Sequence, residues 1–215
     1  MIFYDYWRSS SAWRVRTALH WKGIPFERRA VNLIKDGGEQ HREDFFALNP
    51  SRQVPVVVLD DGAHVLTQSM AIIDYLEEQF PTPPLLPADP WLRGRARQLA
   101  EMVNSGIQPL QNLSVLDHLQ ARGIDRNEWS RHFIARGLTA LEAAARETSG
   151  TFLVGDAPSV ADLYLVPQLY NARRWSTDVA PFPTLLRVEA ACAALPAFVA
   201  AHPDAQSDAV VTRTT

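Results

Sequence analysis

The pattern of hydrophobic and polar residues changes along the chain, and in residues 1–80 it predicts short strands mixed with two helices. MIFYDY is rich in aromatic and β-forming residues and predicts a buried strand. AWRVRTALHWKG has hydrophobic residues at helical spacing and predicts a helix that stops at Gly23. FERRAVNL predicts a second strand, and VPVVVLDDGAHVL predicts two more around an Asp-Asp-Gly turn. SMAIIDYLEEQF predicts a helix with Ser69 as its N-cap, so the order is β-α-β, an irregular connection, and β-β-α.

The composition changes abruptly at PTPPLLPADP, which has five prolines in ten residues. Proline cannot continue a helix and stiffens an extended chain, so we predict a linker over residues 81–87. Beyond it the hydrophobic residues recur at helical spacing, and SVAD (Ser159 to Asp162) has the form of a capping box. The tail from Pro203 is polar and is expected to be poorly anchored. The sequence thus predicts an α/β domain over residues 1–80 and an all-α domain over residues 88–215.

Composition and charge exclude several classes of function. The 215 residues carry a formal net charge of -3, which gives no overall attraction to nucleic acid or to an anionic membrane. The one cysteine, Cys192, excludes an internal disulfide. The first residues lack the pattern of a signal peptide and no stretch is apolar enough to cross a bilayer, so we expect a cytoplasmic protein. The six histidines have no metal-like spacing, so we expect no metal site.

The stretch YWRSSSAWRVR, between the first strand and the first helix, has two possible interpretations. A strand-to-helix turn directs free N–H groups and the positive end of the helix dipole to one place, where hydroxyls can also donate to an anion. Arg8 and Arg14 raise the local positive potential. The alternative is that one serine simply caps the helix, and this stretch alone favours that alternative.

Two further features bear on that choice. Pro55 opens a strand, and if the bond between Val54 and Pro55 were cis, the N–H and C=O of Val54 would face an extended peptide. Gln68 and Ser69 begin a second helix and can bind a carboxylate. Three separate features of one small domain can therefore bind a peptide backbone or an anion.

The sequence that carries these features resembles the zeta class of glutathione transferases. SSSAWRVRTAL is similar to the class signature Ser-Ser-Cys-x-Trp-Arg-Val-Arg-Ile-Ala-Leu, and the resemblance extends from about Phe3 to Pro203. The other segments that carry it are NLIKDGG, ALNPSRQVP, QSMAIIDYLEE, PTPPLLPADP, GIQPLQNLSVL, VADLYLVPQ and NARRW. It implies the glutathione transferase fold: a thioredoxin-like N-terminal domain that binds glutathione and an all-α C-terminal domain that completes the substrate pocket. It also implies a homodimer.

The resemblance also implies roles for individual residues. Ser9, Ser10 and Ser11 occupy the positions of the signature Ser-Ser-Cys and are the implied catalytic residues, with Ser9 bonded to the glutathione sulfur. Arg8 and Arg174 are implied to bind the carboxylates of the substrate, with Arg173 the less favoured neighbour. The implied glutathione contacts are Gln40, Val54 through its backbone, Gln68, Ser69, Gln108, Asn112, Leu113 and Ser114.

The implied activity is glutathione-dependent isomerisation of maleylacetoacetate to fumarylacetoacetate, a step of aromatic amino acid catabolism. It would proceed by thiolate addition, rotation about the resulting single bond, and elimination. The class cysteine is replaced here by Ser11, which can donate a hydrogen bond but cannot act as a thiol.

Alternatives remain within the same fold. One is a maleylpyruvate isomerase, although the glutamine at position 108 favours maleylacetoacetate, and another is a general glutathione transferase. A non-enzyme alternative is a scaffold protein that has lost glutathione and binds a larger partner. The presence of the serines, of Val54–Pro55 and of Gln68–Ser69 argues against the scaffold.

Overall fold

A four-stranded mixed sheet organises the first part of the chain in a computed structural model, which describes residues 1–210. Its strands are β1 (Ile2–Asp5), β2 (Glu27–Ala30), β3 (Val56–Val58) and β4 (Val65–Thr67), in the spatial order β2-β1-β3-β4. β2 is parallel to β1, whereas β3 is antiparallel to both β1 and β4. The four strands predicted from the sequence are all present.

Three helices accompany the sheet: α1 (Ser10–Trp21), α2 (Glu43–Leu48) and α3 (Ser69–Gln79). α1 ends where the sequence predicts, because Gly23 adopts a left-handed backbone with φ of 64°. The N–H of Gly23 donates to His20, and the N–H of Ile24 donates to Leu19. Residues buried completely in this part include Phe3, Val15, Leu19, Val56, Val57, Ile72 and Leu76.

Five helices form a second part: α4 (Pro90–Asn104), α5 (Leu113–Gln120), α6 (Arg126–Ala145), α7 (Val160–Arg174) and α8 (Pro183–Ala193). Four of these five helices follow a polar N-cap residue, and the sequence predicts the one at Ser159. Asp89 caps α4 by accepting from the N–H of Leu92, and Ser159 precedes α7 with Asp162 in the capping-box position. The core of this second part contains Leu99, Ile134, Leu138, Leu141, Leu163, Leu165, Leu169 and Leu185.

The described residues form two compact units, of which the first is Met1–Pro84 together with residues 195–210, and the second is Leu85–Ala194. The division between Pro84 and Leu85 lies inside the expected linker. The expected C-terminal bound is wrong, because the helical domain predicted over residues 88–215 ends at Ala194. The physical reason is that a last helix, α9 (Pro196–Ala201), packs on α1 and buries Phe198 there.

The polar segment after α9 is anchored, contrary to the expectation for the tail from Pro203. The Gln206 side-chain amide donates to the C=O of Ala200 and of His202, at 2.9 Å each. Asp208 pairs with Arg28 at 2.7 Å. Composition alone does not reveal such contacts, which depend on partners far away in the sequence.

Candidate active site

The register of the sheet places the three peptide- or anion-binding features of the sequence at one edge. Val56 lies opposite Tyr4 on one side and opposite Thr67 on the other. Because β3 is antiparallel to β1 and β4, the chain after β1, the chain before β3 and the chain after β4 all lie beyond this row. Neighbouring strands are about 4.8 Å apart, so the serine turn, Val54 and Gln68 lie side by side.

Ser9 is the N-cap of α1, since its Oγ accepts a hydrogen bond from the N–H of Ala12 at 3.3 Å. This bond uses an acceptor site of the hydroxyl and leaves its proton able to donate elsewhere. The N–H groups of Ser10 and Ser11 have no acceptor within residues 1–210. Those N–H groups and the helix dipole favour a negative charge at this end of α1. The cap and the anion-binding interpretations are therefore compatible.

Gln68 and Ser69 lie at the start of α3, but Ser69 is its first residue and Gln68 its N-cap, which corrects the sequence prediction. Ser69 is buried and its Oγ accepts a hydrogen bond from Arg14 Nη1 at 3.2 Å, which turns the hydroxyl toward α1. Gln68 is exposed, its side chain makes no capping bond, and its backbone is left-handed with φ of 69°. Such a strained backbone at a non-glycine residue is typical of functional sites.

Arg14, which the sequence suggests only as a source of positive potential, connects the two helix starts. It is only 1% exposed, and its bond to Ser69 joins α1 to the first residue of α3. A guanidinium is buried at a cost in free energy unless it is paired, so its place here is specific. The sequence shows an arginine between Trp13 and Val15, but Arg16 follows two residues later, so this pattern does not single out Arg14.

Val54 and Gln40 offer polar atoms that have no partner among residues 1–210. The peptide bond between Val54 and Pro55 is cis, and neither the N–H nor the C=O of Val54 is bonded to any residue from 1 to 210. Gln40 is buried; its Nε2 donates to the C=O of Leu33 at 3.3 Å, while its Oε1 has no partner in the described part of the chain. Buried polar groups are normally satisfied, so these atoms are candidates to contact a ligand.

The remaining candidate of the first unit is Arg8. It is half-buried directly before Ser9, and its guanidinium lies 5.1 Å from the centre of the Trp7 ring. The ring limits the positions of a long side chain and leaves its N–H groups available for a carboxylate.

In the second unit, Gln108 begins a short 3₁₀ helix over Gln108–Gln111 and is half-buried. Asn112 caps α5, where its Oδ1 accepts from the N–H of Ser114 at 3.2 Å and from the Ser114 hydroxyl at 3.1 Å. Leu113 and Ser114 are exposed in the first turn of this helix. Asn112 and Ser114 thus make the N-terminus of α5 polar.

Arg174 and Arg173 end α7 in different environments. Arg173 donates through both terminal nitrogens to the Glu189 carboxylate, and this bond raises the pKa of Arg173. Arg174 is exposed and donates to Asn171 Oδ1 at 3.0 Å. The ion pair with Glu189 occupies the guanidinium of Arg173, which makes Arg173 the less suitable of the two for a substrate carboxylate.

Within residues 1–210, no group of three or more His, Cys, Asp or Glu side chains could hold a metal ion, and no helix is long and apolar enough to span a membrane.

Known proteins are similar to this chain in sequence and in fold. The family model of the glutathione S-transferase N-terminal domain matches residues 8–79. The probable maleylacetoacetate isomerase 2 of Drosophila melanogaster is 47% identical over 207 residues, 96% of this chain and 89% of that protein. A maleyl pyruvate isomerase, a bacterial glutathione S-transferase of the zeta class, is 45% identical with a TM-score of 0.92, over 98% of this chain and 100% of that chain. The chain belongs to the zeta class of glutathione transferases.

A further member of this class has been solved with ligands. The maleylacetoacetate isomerase of Anaeromyxobacter dehalogenans 2CP-1 with bound glutathione is 55% identical with a TM-score of 0.88, over 97% of each chain. Another structure of that enzyme, with dicarboxyethyl glutathione and citrate in the active site, is 56% identical with a TM-score of 0.89, over 98% of this chain and 94% of that chain. The predicted fold class, a thioredoxin-like α/β part with an all-α part, is confirmed for this zeta-class chain.

Proposed function

We propose that this chain is a glutathione-dependent maleylacetoacetate isomerase, which converts maleylacetoacetate to fumarylacetoacetate. Relatives of that name over nearly the whole chain support the proposal. The observation that carries it is the N-terminus of α1, where the Ser9 hydroxyl keeps its proton beside two N–H groups without acceptors among residues 1–210. A helix N-terminus with these hydrogen-bond donors stabilises a thiolate.

The first unit has the groups that glutathione needs. When bound, glutathione supplies the thiol that acts as the nucleophile. The free N–H and C=O of Val54 suit a peptide backbone, and the start of α3 with Ser69 suits a carboxylate. The unpartnered Oε1 of Gln40 suits a peptide N–H. Gln68 would add a side-chain amide at the same helix start.

Ser9 is proposed to donate its hydroxyl hydrogen to the thiolate, which lowers the pKa of the thiol because the charged form is stabilised. Its Oγ is already held by the N–H of Ala12, so the hydroxyl is oriented before the ligand arrives. The N–H groups of Ser10 and Ser11 add to the same positive end of α1. Ser11 takes the place of the class cysteine, and this role needs only its backbone and its hydroxyl.

Arg8 and Arg174 are proposed to bind the carboxylates of the substrate. Both are arginines, whose planar guanidinium groups bind carboxylates through two parallel hydrogen bonds. Dicarboxyethyl glutathione and citrate in the active site of the Anaeromyxobacter enzyme are ligands with several carboxylates, in agreement with such a role. Gln108, Asn112, Leu113 and Ser114 are proposed as glutathione contacts of the second unit.

The deciding experiment measures isomerisation of maleylacetoacetate and of maleylpyruvate by the purified protein, with and without glutathione. We expect glutathione-dependent turnover of maleylacetoacetate, with no glutathione consumed because it is regenerated in each cycle. Retention on glutathione-agarose separates an enzyme from a scaffold of the same fold. Glutathione binding without turnover of either substrate would contradict the isomerase, and flow-through on the column would point to the scaffold.

Maleylpyruvate isomerisation is the second candidate, because a relative 45% identical over nearly all of this chain has that name. This reaction requires the same thiolate-binding helix N-terminus and the same arginines for the substrate carboxylates. The two substrates must therefore be compared under identical conditions. A kcat/KM that is higher for maleylpyruvate would replace the main proposal with this one.

The proposed enzyme is a cytoplasmic homodimer that acts on a small molecule and has no nucleic-acid or membrane partner. The homodimer follows from the resemblance to the class, and light scattering of the purified protein tests it against the 24.1 kDa mass of one chain.

A further inference from the structure

The peptide groups of Trp7, two residues before Ser9, are held from two sides. The N–H of Trp7 donates to Asp208 Oδ2 at 3.4 Å, and its C=O accepts from Arg16 Nη2 at 3.0 Å. The N–H of Ser9 then donates to the C=O of Tyr6 at 2.9 Å. The turn that leads from β1 to α1 is therefore fixed by groups that lie outside it.

Arg16 and Asp208 belong to one charged cluster with Asp5 and Arg28, here called the Asp5 cluster. Arg16 Nη1 and Arg28 Nε both donate to Asp5 Oδ2, the latter at 2.7 Å, and Arg28 Nη2 lies 2.7 Å from Asp208 Oδ1. The side chains of Asp5 and Arg16 are fully buried. Two positive charges balance two negative ones, and removing one partner of a buried set leaves a charge uncompensated. The cluster therefore favours one arrangement.

The C-terminal segment supplies two of the groups that complete this arrangement. The C=O of Ala201 accepts from Arg16 Nε at 2.8 Å. Asp208 contacts both Arg28 and the N–H of Trp7 and so connects the two. The segment between them is tied down by the Gln206 side chain. A continuous series of contacts thus starts at the C=O of Trp7, passes through the Asp5 cluster and returns to the N–H of Trp7.

We propose that Asp208 is a positioning residue for Ser9, because it fixes the turn from which the Ser9 hydroxyl donates to the glutathione thiolate. The proposal rests on the proposed function for the role of Ser9, whereas the contact of Asp208 with Trp7 does not depend on it. Asp208 itself touches neither substrate nor glutathione in this scheme. It acts through the Trp7 peptide group and through Arg28.

Two substitutions separate the hydrogen bond from the charge. Asp208→Ala removes both the acceptor for Trp7 and the partner of Arg28, whereas Asp208→Asn keeps an acceptor oxygen and removes the charge. Asp204→Ala changes an exposed carboxylate of the same segment and serves as the matched control. Ultraviolet absorbance of the thiolate against pH gives the pKa of bound glutathione, and steady-state kinetics give kcat and KM.

We expect Asp208→Ala to raise the pKa of the bound thiol by about half a unit or more and to lower kcat about three- to tenfold. The KM for glutathione should change little, since the groups at the start of α3 are untouched. Asp208→Asn should show smaller changes in the same direction, and Asp204→Ala none. A bound thiol with the wild-type pKa in Asp208→Ala would overturn the proposal.

Hydrogen exchange without glutathione separates this proposal from the proposed function. We expect the amides of residues 7–12 to exchange faster in Asp208→Ala, and wild-type exchange there would also overturn the proposal. If that exchange is faster but the wild-type protein neither binds glutathione nor isomerises, the proposed function fails and the positioning of the turn stands. Should Asp208→Ala not fold, Asp208→Asn replaces it, and no change in either measurement would reject the idea.

Discussion

The Ser9 hydroxyl caps a helix and still has a proton that it can donate to a ligand. Its oxygen accepts from the N–H of Ala12 at 3.3 Å, and a hydroxyl has one proton to donate in addition. A serine that caps a helix can therefore still donate a hydrogen bond through its hydroxyl. The sequence offered a capping and an anion-binding interpretation of this serine, and the geometry is compatible with both at once.

We expect Ser9→Ala to lower kcat by about tenfold or more at pH 7 and to raise the pKa of the bound glutathione thiol, because a hydrogen bond to a charged sulfur is lost. The variant also loses its helix cap, at a cost of about 1 kcal/mol in the free energy of unfolding. Steady-state kinetics, thiolate absorbance and urea denaturation measure the three effects separately.

Asp89→Ala is the matched control for Ser9→Ala, since Asp89 caps α4 through the N–H of Leu92 at 2.8 Å. It should cost a similar free energy of unfolding and leave both kcat and the thiol pKa unchanged. If Ser9→Ala differs from wild type only in stability, as this control does, then the proposed donor role of Ser9 is wrong.

For individual residues, the sequence predicts candidates that belong to a local pattern. It does not predict contacts between residues that are far apart along the chain. The serine turn and Gln68–Ser69 are visible because hydroxyls and amides stand at predicted helix starts. The contact of Arg14 with Ser69 joins residues that are 55 positions apart, and no spacing rule reveals it. The same limit explains why Ser69 was predicted as a cap when its hydroxyl in fact accepts from Arg14.

Among the elements, α7 has the start that the sequence describes best. Asp162 Oδ1 accepts from the N–H of Leu153 at 2.9 Å, and its Oδ2 accepts from the N–H and hydroxyl of Ser159 at 2.8 and 2.9 Å. The SVAD pattern predicts the bonds to Ser159, because they span three residues. The bond to Leu153 and the complete burial of Asp162 depend on the packing of the second unit.

That burial raises the pKa of Asp162 from its ordinary 3.8 to about 6, against the hydrogen bonds, which lower it. The folded protein thus binds this proton more tightly than the unfolded chain does. The resulting stabilisation is complete below pH 3.8 and is lost as the pH rises through about 6. The sign is opposite to that of a carboxylate whose pKa is lowered by folding.

We therefore expect the advantage of the wild type over Asp162→Asn in the free energy of unfolding to fall by about 2 kcal/mol between about pH 4 and about pH 7. Asparagine does not titrate, and the other ionisable groups are common to both proteins and cancel in the difference. Urea denaturation of both proteins at several pH values measures it. A difference that stays constant or grows with pH would show that burial does not control this carboxyl group.

For the whole molecule, the sequence predicts two parts and the place where they divide, because the proline-rich stretch is a local signal. It does not predict that the chain returns to the first unit after Ala194. α9 is helical and apolar like the helices before it, so composition assigns it to the helical domain. Its assignment is determined by packing on α1 and by the C=O of Ala201, which accepts from the buried Arg16 at 2.8 Å.

The packing of α9 in the first unit predicts which substitution in this helix lowers stability. Phe198 is 3% exposed in α9, whereas the neighbouring Val199 is 57% exposed. We expect Phe198→Ala to lower the free energy of unfolding by about 3 kcal/mol or more, and Val199→Ala to change it by less than about 0.5 kcal/mol. Urea denaturation measures both.

Hydrogen exchange then shows which unit contains α9. In Phe198→Ala the amides of α1 should lose the most protection, because α9 covers that helix and stability is distributed in local cooperative units. The amides of α4 to α8 should change least, since they belong to the other unit. The opposite result, with protection lost from α4 to α8 and retained in α1, is what a helical domain over residues 88–215 would give. It would remove the structural basis for a C-terminal segment that holds the turn of Ser9.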